Sequence, residues 1–246
     1  MIKGLQKTTL IDFPGKIACT IFLGGCNMRC GYCYNSDLVL RQNEMPTISK
    51  EEFLDFLEKR KKFLEGVCIT GGEPTMHKEL PELCSDIKKA GFAVKLDTNG
   101  TNPEMLGLLI EKKLLDYIAM DVKASLESYD KVCRIPINME NIKRSIELIK
   151  KSGIDYEFRT TLVPDVINVE EMKKIGHLIT GARKYFLQQF RASPSTMDKK
   201  YNTMEALGVE QIRELSRTVA PFVNTVGIRN ADISENLKTP QDAVSG

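Results

Sequence analysis

Short β-rich runs alternate with amphipathic helical windows along most of this chain, and few folds accommodate that pattern. The apolar period changes between two residues, typical of a strand, and three to four residues, typical of a helix. The β-rich runs span 16–23, 66–70, 92–97, 116–123, 155–163 and 183–191. The helical windows span 51–64, 79–90, 103–113, 138–152, 168–179 and 204–219. These six strand–helix units predict an α/β fold with a parallel sheet and right-handed crossovers, either doubly wound or curved towards a barrel.

Several of these strands place polar side chains on one face only, which distinguishes the two kinds of sheet. A doubly wound sheet is covered by helices on both faces and favours near-continuous apolar strands. A closed barrel of eight units is filled with apolar layers, so six units with polar interiors predict an incomplete (β/α)6 barrel around a large polar ligand. Edge strands with one solvated face are the alternative. The inward polar positions are predicted to be Lys95, Asp97, Tyr117, Asp121, Lys123, Glu157, Arg159, Thr161, Gln189 and Arg191.

The chain of 246 residues has no internal repeat or Pro/Ser-rich linker, so we expect one domain over 1–230 and a polar tail over 231–246. A net charge of +2 is too weak to indicate a nucleic-acid or membrane partner. No window approaches the ~18 apolar residues of a membrane span, and the N-terminus lacks a signal-peptide pattern, so we expect a cytoplasmic protein. Seven cysteines, an odd number, favour free thiols over a disulfide framework.

Three cysteines fall within eight residues directly after the first predicted strand, in the segment LGGCNMRCGYCYN. Cys26, Cys30 and Cys33 form a CxxxCxxC pattern. Three thiolates in one loop can ligate a 4Fe-4S cluster and leave one iron without a protein ligand, free to chelate a substrate. The alternative is a structural zinc site, which needs a fourth ligand from elsewhere in the chain. The candidates for that ligand are His77, Cys19 and Cys68.

The cysteine loop resembles the CxxxCx(aromatic)C signature of the radical S-adenosylmethionine (SAM) superfamily, with Tyr32 as the aromatic residue. GGEP at 71–74, DTNG at 97–100 and DVK at 121–123 follow in that superfamily's order. The resemblance covers roughly residues 4 to 191 and implies a single-domain partial (β/α)6 barrel of the radical SAM type, with cluster and SAM at its open top. Within the superfamily, the chain is similar to activating enzymes of anaerobic ribonucleoside-triphosphate reductase.

The resemblance implies that residues at the strand ends hold SAM. Glu73 would accept a hydrogen bond from the ammonium group of SAM, and Gly71 and Gly72 would let the backbone approach closely. The alternative is that GGEP is only a turn after a strand. Lys123 would pair with the SAM carboxylate. Asp121 would help to bind a monovalent cation, or it would only neutralise the neighbouring lysine.

Further roles are implied for the remaining strand-end residues. Asp97 or Asn99 would bind the amine or the ribose hydroxyls of SAM, and Arg159 would hydrogen-bond the ribose or the carboxylate. A buried ion pair between Arg159 and Glu157 is the alternative. Tyr32 would contact the cofactor as the aromatic residue of the signature, or it would be an ordinary packing residue.

The implied reaction is reductive cleavage of SAM to methionine and a 5′-deoxyadenosyl radical, which would take hydrogen from a backbone glycine of anaerobic ribonucleotide reductase or another glycyl-radical enzyme. Flavodoxin or ferredoxin would donate the electron. Related activases often have Pro and His where this chain has Gly31 and Tyr34, which leaves the target open. The alternatives are a radical SAM enzyme acting on a small molecule or a peptide, and a non-catalytic iron-sulfur or zinc module. No cysteine follows Cys133 to hold a further cluster.

Overall fold

An eight-stranded sheet whose strands follow their chain order forms the centre of the computed structural model, which describes residues 1–231. The strands are β1 (Ile2–Thr9), β2 (Ala18–Leu23), β3 (Gly66–Gly71), β4 (Ala93–Thr98), β5 (Tyr117–Asp121), β6 (Asp155–Leu162), β7 (Tyr185–Gln189) and β8 (Val226–Arg229). The helices are α1 (Ser36–Leu40), α2 (Lys50–Arg60), α3 (Leu80–Lys89), α4 (Pro103–Glu111), α5 (Tyr129–Cys133), α6 (Met139–Lys151), α7 (Val169–Leu178) and α8 (Val209–Val219). No helix within 1–231 is long and apolar enough to cross a membrane.

The order of the strands confirms the predicted open barrel. Strands β2 to β8 are parallel, and each pairs with the next strand along the chain. A doubly wound sheet would instead reverse its order at a switch point. Across the described part of the chain, β1 and β8 form the two edges and do not pair, so the barrel is incomplete. The predicted tail over 231–246 lies, apart from Ala231, outside the described residues.

Strand β1 is absent from the sequence-based prediction. It runs antiparallel to β2, with Ile2 beside Leu23 and Thr9 beside Ala18, and it forms an edge of the sheet. Its central residues Gln6 and Lys7 are exposed, so the segment lacks the buried alternating pattern that identifies the inner strands. Six of the seven parallel strands, β2 to β7, match the predicted strand–helix units.

The register gives the inner strands one polar face and one apolar face. Residues that pair across neighbouring strands share a face: Asp121 lies beside Arg159, and Lys95 lies beside Tyr117. The apolar face packs beneath the helices and includes the buried residues Val67, Val94, Leu96, Ile118, Met120 and Phe158. The polar face lines the interior of the partial barrel, as the sequence predicts.

The predicted inward face of β7 is wrong by one residue. Arg159 of β6 pairs with Phe186, so Phe186 and Gln188 face the interior. Gln189 lies on the opposite face and its amide donates a hydrogen bond to the carbonyl of Leu207 (2.9 Å). Arg191 lies beyond the end of the strand. A one-residue error exchanges the two faces of a strand because successive side chains point in opposite directions.

Aromatic packing closes the lower end of the barrel interior, where the parallel strands begin. Phe13, from the loop between β1 and β2, is buried against Ala18 and Tyr117. The rings of Phe13 and Tyr117 are 6.2 Å apart. Tyr117 donates a hydrogen bond to Glu157 (2.8 Å), which also accepts two hydrogen bonds from Arg229. These contacts leave the upper end, where the strands finish, as the place for a site.

Candidate active site

The four motifs of the sequence analysis meet at the upper end of the barrel. The cysteine loop follows β2, GGEP follows β3, DTNG follows β4 and DVK follows β5. The backbone amide of Glu73 donates to the carbonyl of Gly25 (2.8 Å). The side-chain amide of Asn99 donates to Asn27 Oδ1 (2.9 Å). Hydrogen bonds therefore join the first three motifs directly.

The contact between the cysteine loop and GGEP requires glycine. A Cβ atom on Gly72 would lie 1.8 Å from the carbonyl oxygen of Gly25, which belongs to the backbone and cannot rotate away. Gly25 and Gly71 have φ angles of 85° and 120°, in the region where a side chain is strained. The cysteine loop and the GGEP turn are therefore in direct backbone contact, with no room for a side chain between them.

Two distant segments support the cysteine loop from its other side. The amide of Arg29 donates to the carbonyl of Cys133 at the end of α5 (2.9 Å). In residues 195–201, here named the strap, Met197 N donates to Cys33 O (3.0 Å) and Asp198 N donates to Gly31 O (2.9 Å). No local sequence signal identifies these contacts, because the partners are more than 100 residues apart.

The strap also accounts for the glycine at position 31. A Cβ atom on Gly31 would lie 2.7 Å from Arg134 Nη2 and 2.8 Å from Tyr201 Cε2. Arg134 forms an ion pair with Asp198 of the strap. Side chains of this chain therefore occupy the space that a larger residue would need.

The three cysteines have the donor chemistry that a 4Fe-4S cluster needs. Cys26, Cys30 and Cys33 are free thiols in one loop, and negative charge on Cys30 contributes to the raised pKa of the other two. The amide of Met28 points at Cys26 Sγ (3.4 Å), a geometry that favours a bound thiolate. Burial raises the pKa of Cys26 to about 11. The pKa of Cys30 is lowered by its hydrogen bond with the Cys133 thiol and, to a smaller extent, by the ammonium group of Lys123.

The zinc alternative finds no support within residues 1–231. No three or more His, Cys, Asp or Glu side chains there are close enough together to enclose one metal ion. Of the candidate fourth ligands, His77 Nε2 forms a hydrogen bond with the carbonyl of Gly24 (2.8 Å), and Cys68 Sγ contacts Lys95 Nζ (3.6 Å). Cysteines of a four-iron cluster bind different irons, so they do not need to converge on one point.

An ion-pair network lines the barrel interior below the cysteine loop. Arg159 Nε donates to Asp121 Oδ1 (2.8 Å), and its Nη1 lies 3.3 Å from Asp97 Oδ2. Lys123 Nζ donates to Asp121 Oδ2 (2.9 Å), and the buried Lys95 pairs with Asp97. The network joins β4, β5 and β6, with Lys123 just past the end of β5.

The structure changes two expectations about this network. The alternative ion pair between Arg159 and Glu157 is wrong, because Glu157 is lower on β6 and binds Arg229 (2.5 Å). Asp121 does have the predicted neutralising contact with Lys123, and both of its oxygens are bonded to cationic side chains. A monovalent cation at Asp121 therefore stays a prediction.

The charges of the network persist at neutral pH. Burial alone would raise the pKa values of Asp97 and Asp121, but Arg159 and the neighbouring lysines lower them below the usual range. Burial would lower the pKa of Lys123, and Asp121 raises it well above its usual value. Lys123 uses one side-chain hydrogen bond and can donate more. The site thus offers fixed anions and cations, which suits a zwitterionic ligand.

Glu73 is bound to the protein's own donors. Its side chain is 1% exposed. Oε1 accepts from the amide and hydroxyl of Thr75 (3.1 and 2.5 Å) and from the hydroxyl of Thr98 (2.7 Å). Oε2 accepts from the amide of Asn99 (2.7 Å). The carboxylate therefore fastens DTNG to GGEP, while its predicted contact with SAM stays a prediction.

The two tyrosines of the cysteine loop have different surroundings. Tyr32 is buried and packs edge-to-face on Tyr201 of the strap, with ring centroids 6.1 Å apart, which is the packing role named as the alternative. Tyr34 is 65% exposed, and partial burial of its hydroxyl raises its pKa, with a smaller contribution from the Asp121 carboxylate. Within residues 1–231, Tyr34 forms no hydrogen bond or ring contact. Cofactor contact by Tyr32 stays a prediction.

Comparison with known proteins matches this arrangement to one family. The model of the radical SAM superfamily matches residues 20–179. A Methanocaldococcus jannaschii protein named as a glycyl-radical enzyme activating enzyme is 35% identical over 93% of this chain and 95% of its own length. The pyruvate formate-lyase-activating enzyme of Clostridium pasteurianum is 23% identical, over 88% of this chain and 95% of its own length.

Solved structures share the fold. Streptococcus suis SuiB bound to S-adenosylmethionine superposes with a TM-score of 0.65 at 12% identity over 87% of this chain, which spans about half (52%) of SuiB. A domain of a pyruvate-formate lyase-activating enzyme from Bacteroides vulgatus has a TM-score of 0.52 at 18% identity, over 66% of this chain and 99% of that domain. With its four motifs joined at the upper end of an open barrel, the chain belongs to the radical SAM superfamily, and it is an oxidoreductase of that family.

Proposed function

We propose that this chain activates a glycyl-radical enzyme, and that its target is anaerobic ribonucleoside-triphosphate reductase. The observation that carries the proposal is the meeting of the cysteine loop, GGEP, DTNG and DVK above one ion-paired interior. Family membership implies a 4Fe-4S cluster and SAM. Cys26, Cys30 and Cys33 would hold the cluster, which when bound supplies one electron to cleave the sulfonium of SAM reductively.

The chain's own residues bind and orient SAM. Lys123 donates hydrogen bonds to the carboxylate, and Asp97 or Asn99 accepts from the amine or the ribose hydroxyls. Arg159 holds Asp97 and Asp121 in place, so these carboxylates are positioned before SAM arrives. Hydrogen abstraction needs no general acid or base. The protein's contributions are therefore orientation and the exclusion of water.

Two features support a protein substrate. Within the described residues, the sheet is open between β1 and β8, which gives a polypeptide loop a route to the interior. No cysteine follows Cys133, so the chain lacks the thiols that hold further clusters in many peptide-modifying relatives. This favours an activase over an enzyme of that kind. The names of the M. jannaschii and C. pasteurianum relatives agree with an activase. A flavodoxin or ferredoxin would serve as the electron donor.

Electron paramagnetic resonance tests the proposal directly. Reconstituted enzyme, SAM and dithionite are incubated anaerobically with the anaerobic ribonucleotide reductase of the source organism. We expect a glycyl-radical doublet, and deuterium from Cα-labelled glycine in the 5′-deoxyadenosine product. SAM cleavage without a doublet would refute this target and favour a radical SAM reaction on a small molecule or a different polypeptide. A doublet only with a pyruvate formate-lyase would keep the activase and replace its target.

A further inference from the structure

A cavity of about 490 Å³, here named the β8 cavity, lies at the upper end of the barrel, where β7 and β8 end and α8 begins. Its lining includes Gln189, Phe190 and Arg191 at the end of β7, Leu207 before α8 and Asn230 after β8. Gln189 is on the face of β7 that points away from the barrel interior. The cavity is therefore separate from the ion-paired site, and its volume is in the range of ligand-binding sites.

The walls of the β8 cavity are mostly apolar. Val209, in the first turn of α8, is 39% exposed, so apolar surface faces solvent here. A contiguous apolar surface in a concave site favours a role in binding, whereas single exposed apolar residues need no explanation. The larger apolar residues of the lining are Phe190, Met204, Leu207, Val209 and Ile212.

Arg191 is the only charged residue among the described residues that line the cavity. It is exposed, and within residues 1–231 it forms no ion pair or hydrogen bond. In contrast, Arg134, Arg159 and Arg229 each bind a carboxylate of this chain. An unpaired guanidinium beside an apolar cavity favours an occupant that carries a carboxylate.

Gln189 adds a second polar group to the lining. Its amide nitrogen donates to the carbonyl of Leu207 (2.9 Å), which fixes the loop before α8. Its Oε1 atom is buried and accepts no hydrogen bond from residues 1–231. Buried acceptors are nearly always paired, so this oxygen favours an occupant that brings an N–H group. Each residue of a polypeptide except proline has such a group on its backbone.

Packed aromatic rings connect the β8 cavity to the cysteine loop. Phe190 packs edge-to-face on Tyr201 of the strap, with ring centroids 6.0 Å apart. Tyr201 packs in turn on Tyr32 of the cysteine loop. The cavity also borders β8, which is an edge of the sheet in the described part of the chain. An occupant would therefore lie beside the opening of the barrel and close to the cysteine loop.

We propose that the β8 cavity docks a segment of the glycyl-radical enzyme, in which an apolar side chain fills the cavity and a neighbouring carboxylate pairs with Arg191. The inference rests on the proposed function and adds the surface that recognises the partner. Docking at this place would hold the partner beside the opening between β8 and β1 while its glycine loop enters the interior.

Two substitutions test the docking surface through different physical effects. Ala206→Phe puts a ring into the cavity from an exposed position, and Arg191→Glu reverses the charge beside it. Arg217→Glu, exposed in the last turn of α8 and not part of the lining, is the matched control. Each reconstituted variant is tested with the anaerobic ribonucleotide reductase of the source organism. The measurements are the Kd for the reductase, and the KM and kcat for formation of the glycyl radical.

We expect Ala206→Phe and Arg191→Glu each to raise Kd and KM at least about tenfold, with little change in kcat, because they remove docking rather than chemistry. Arg217→Glu should match the wild type. Arg191→Lys should recover most of the affinity. Raising the salt concentration should weaken binding of the wild type more than binding of Arg191→Gln, since salt screens a charge pair.

The outcomes separate this inference from the proposed function. A wild-type doublet combined with unchanged Kd and KM in Ala206→Phe and Arg191→Glu would overturn the docking surface alone. Absence of a doublet with the wild type would refute the proposed function and, with it, this inference. A changed oligomeric state of the variants in sedimentation would assign the cavity to a second copy of this chain. A lower KM in Ala206→Phe would assign it to residues 232–246 of the same chain, and either result would overturn the proposal.

Discussion

At the scale of single residues, the three cluster cysteines differ from the other buried cysteines in their surroundings. Cys19 and Cys84 are buried in the apolar core, where burial raises the pKa of each to about 12. Neither thiol belongs to the cysteine loop, so neither is placed to ligate a cluster held by Cys26, Cys30 and Cys33. We expect a triple Cys26→Ala, Cys30→Ala, Cys33→Ala variant to lose nearly all iron after anaerobic reconstitution. Cys19→Ala and Cys84→Ala serve as controls and should bind the wild-type amount.

Lys123 is the residue whose charge faces both the cysteines and the ion-pair network. Replacing Lys123 by Met removes a charged hydrogen bond worth about 1.5 to 3 kcal/mol, so SAM should bind roughly 10 to 150 times more weakly. Iron content should not change. Equilibrium binding of SAM to reconstituted protein measures the effect, and Lys173→Met on the exposed surface of α7 is the matched control. Equal affinity in both variants would exclude Lys123 from the SAM site.

We expect replacement of Glu73 to lower the free energy of unfolding, whether or not it also weakens SAM binding. Glu73→Ala leaves buried donors of Thr75, Thr98 and Asn99 without their acceptor. We expect the free energy of unfolding to fall by about 2 to 4 kcal/mol. Chemical denaturation of the iron-free protein measures this, with Glu79→Ala, at the start of α3, as a control on an exposed carboxylate. Wild-type stability combined with weakened SAM binding would show that the carboxylate acts on the ligand instead.

Prediction of the site from sequence succeeds where residues are close in the chain. The cysteine spacing and the turns after β3, β4 and β5 are local patterns, and the structure brings their segments together as expected. Cys133, Asp198 and Arg229 were missed because each contacts a residue at least 64 positions away. Such contacts follow from the packing of α5, the strap and β8, which no short pattern describes.

At the scale of elements, the close approach of two turns gives a sharp prediction. Gly72→Ala would press a methyl group on the carbonyl of Gly25, so the turns must separate. We expect a loss of about 1 to 3 kcal/mol in stability and reduced iron loading. Gly107→Ala in α4 is the opposite control, since only Leu148 comes near, at 3.9 Å. That change should stabilise the helix by about 0.5 to 1 kcal/mol.

Thermal unfolding and iron analysis distinguish the two glycines. Similar melting temperatures for Gly72→Ala and Gly107→Ala would contradict the proposed contact between turns. At this scale, the sequence predicted the inner strands and the helices α2, α3, α4, α6 and α7 to within a few residues. Helix α8 begins at Val209 rather than 204, and the short helices α1 and α5 were not predicted. The sequence-based prediction failed in two strands whose polarity pattern is ambiguous. Strand β1 is an edge strand with exposed polar residues, and β7 has two adjacent glutamines, one on each face of the sheet.

At the scale of the whole molecule, the ion-pair network joins three strands and makes stability depend on acid. The pKa of Asp121 is lower in the folded chain than in the unfolded chain, so the unfolded chain binds protons more readily. Its stabilising contribution is complete above the ordinary aspartate pKa of about 3.9 and is lost as the pH falls below it. We expect Asp121→Asn to be less stable at pH ~7 and to show a flatter loss of stability on the acid side.

Urea unfolding between neutral and acidic pH measures this difference. Asp55→Asn, on the exposed face of α2, is the control and should follow the wild-type profile. Equal acid slopes for Asp121→Asn and wild type would show that the network contributes nothing to folding.

The open barrel itself was predictable, because one-sided polarity of the inner strands excludes a sheet covered by helices on both faces. The closing of its lower end by Phe13 was not, since a loop aromatic gives no periodic signal.

The strap has a consequence for biosynthesis. Gly31 and Cys33 obtain their backbone partners from Asp198 and Met197, and Arg29 obtains its partner from Cys133. During translation the cysteine loop is made early, but the residues that fix its shape emerge only after most of the domain. The loop therefore reaches its described conformation only after the ribosome has passed residue 198, so the thiols remain in a growing, incompletely folded chain until then.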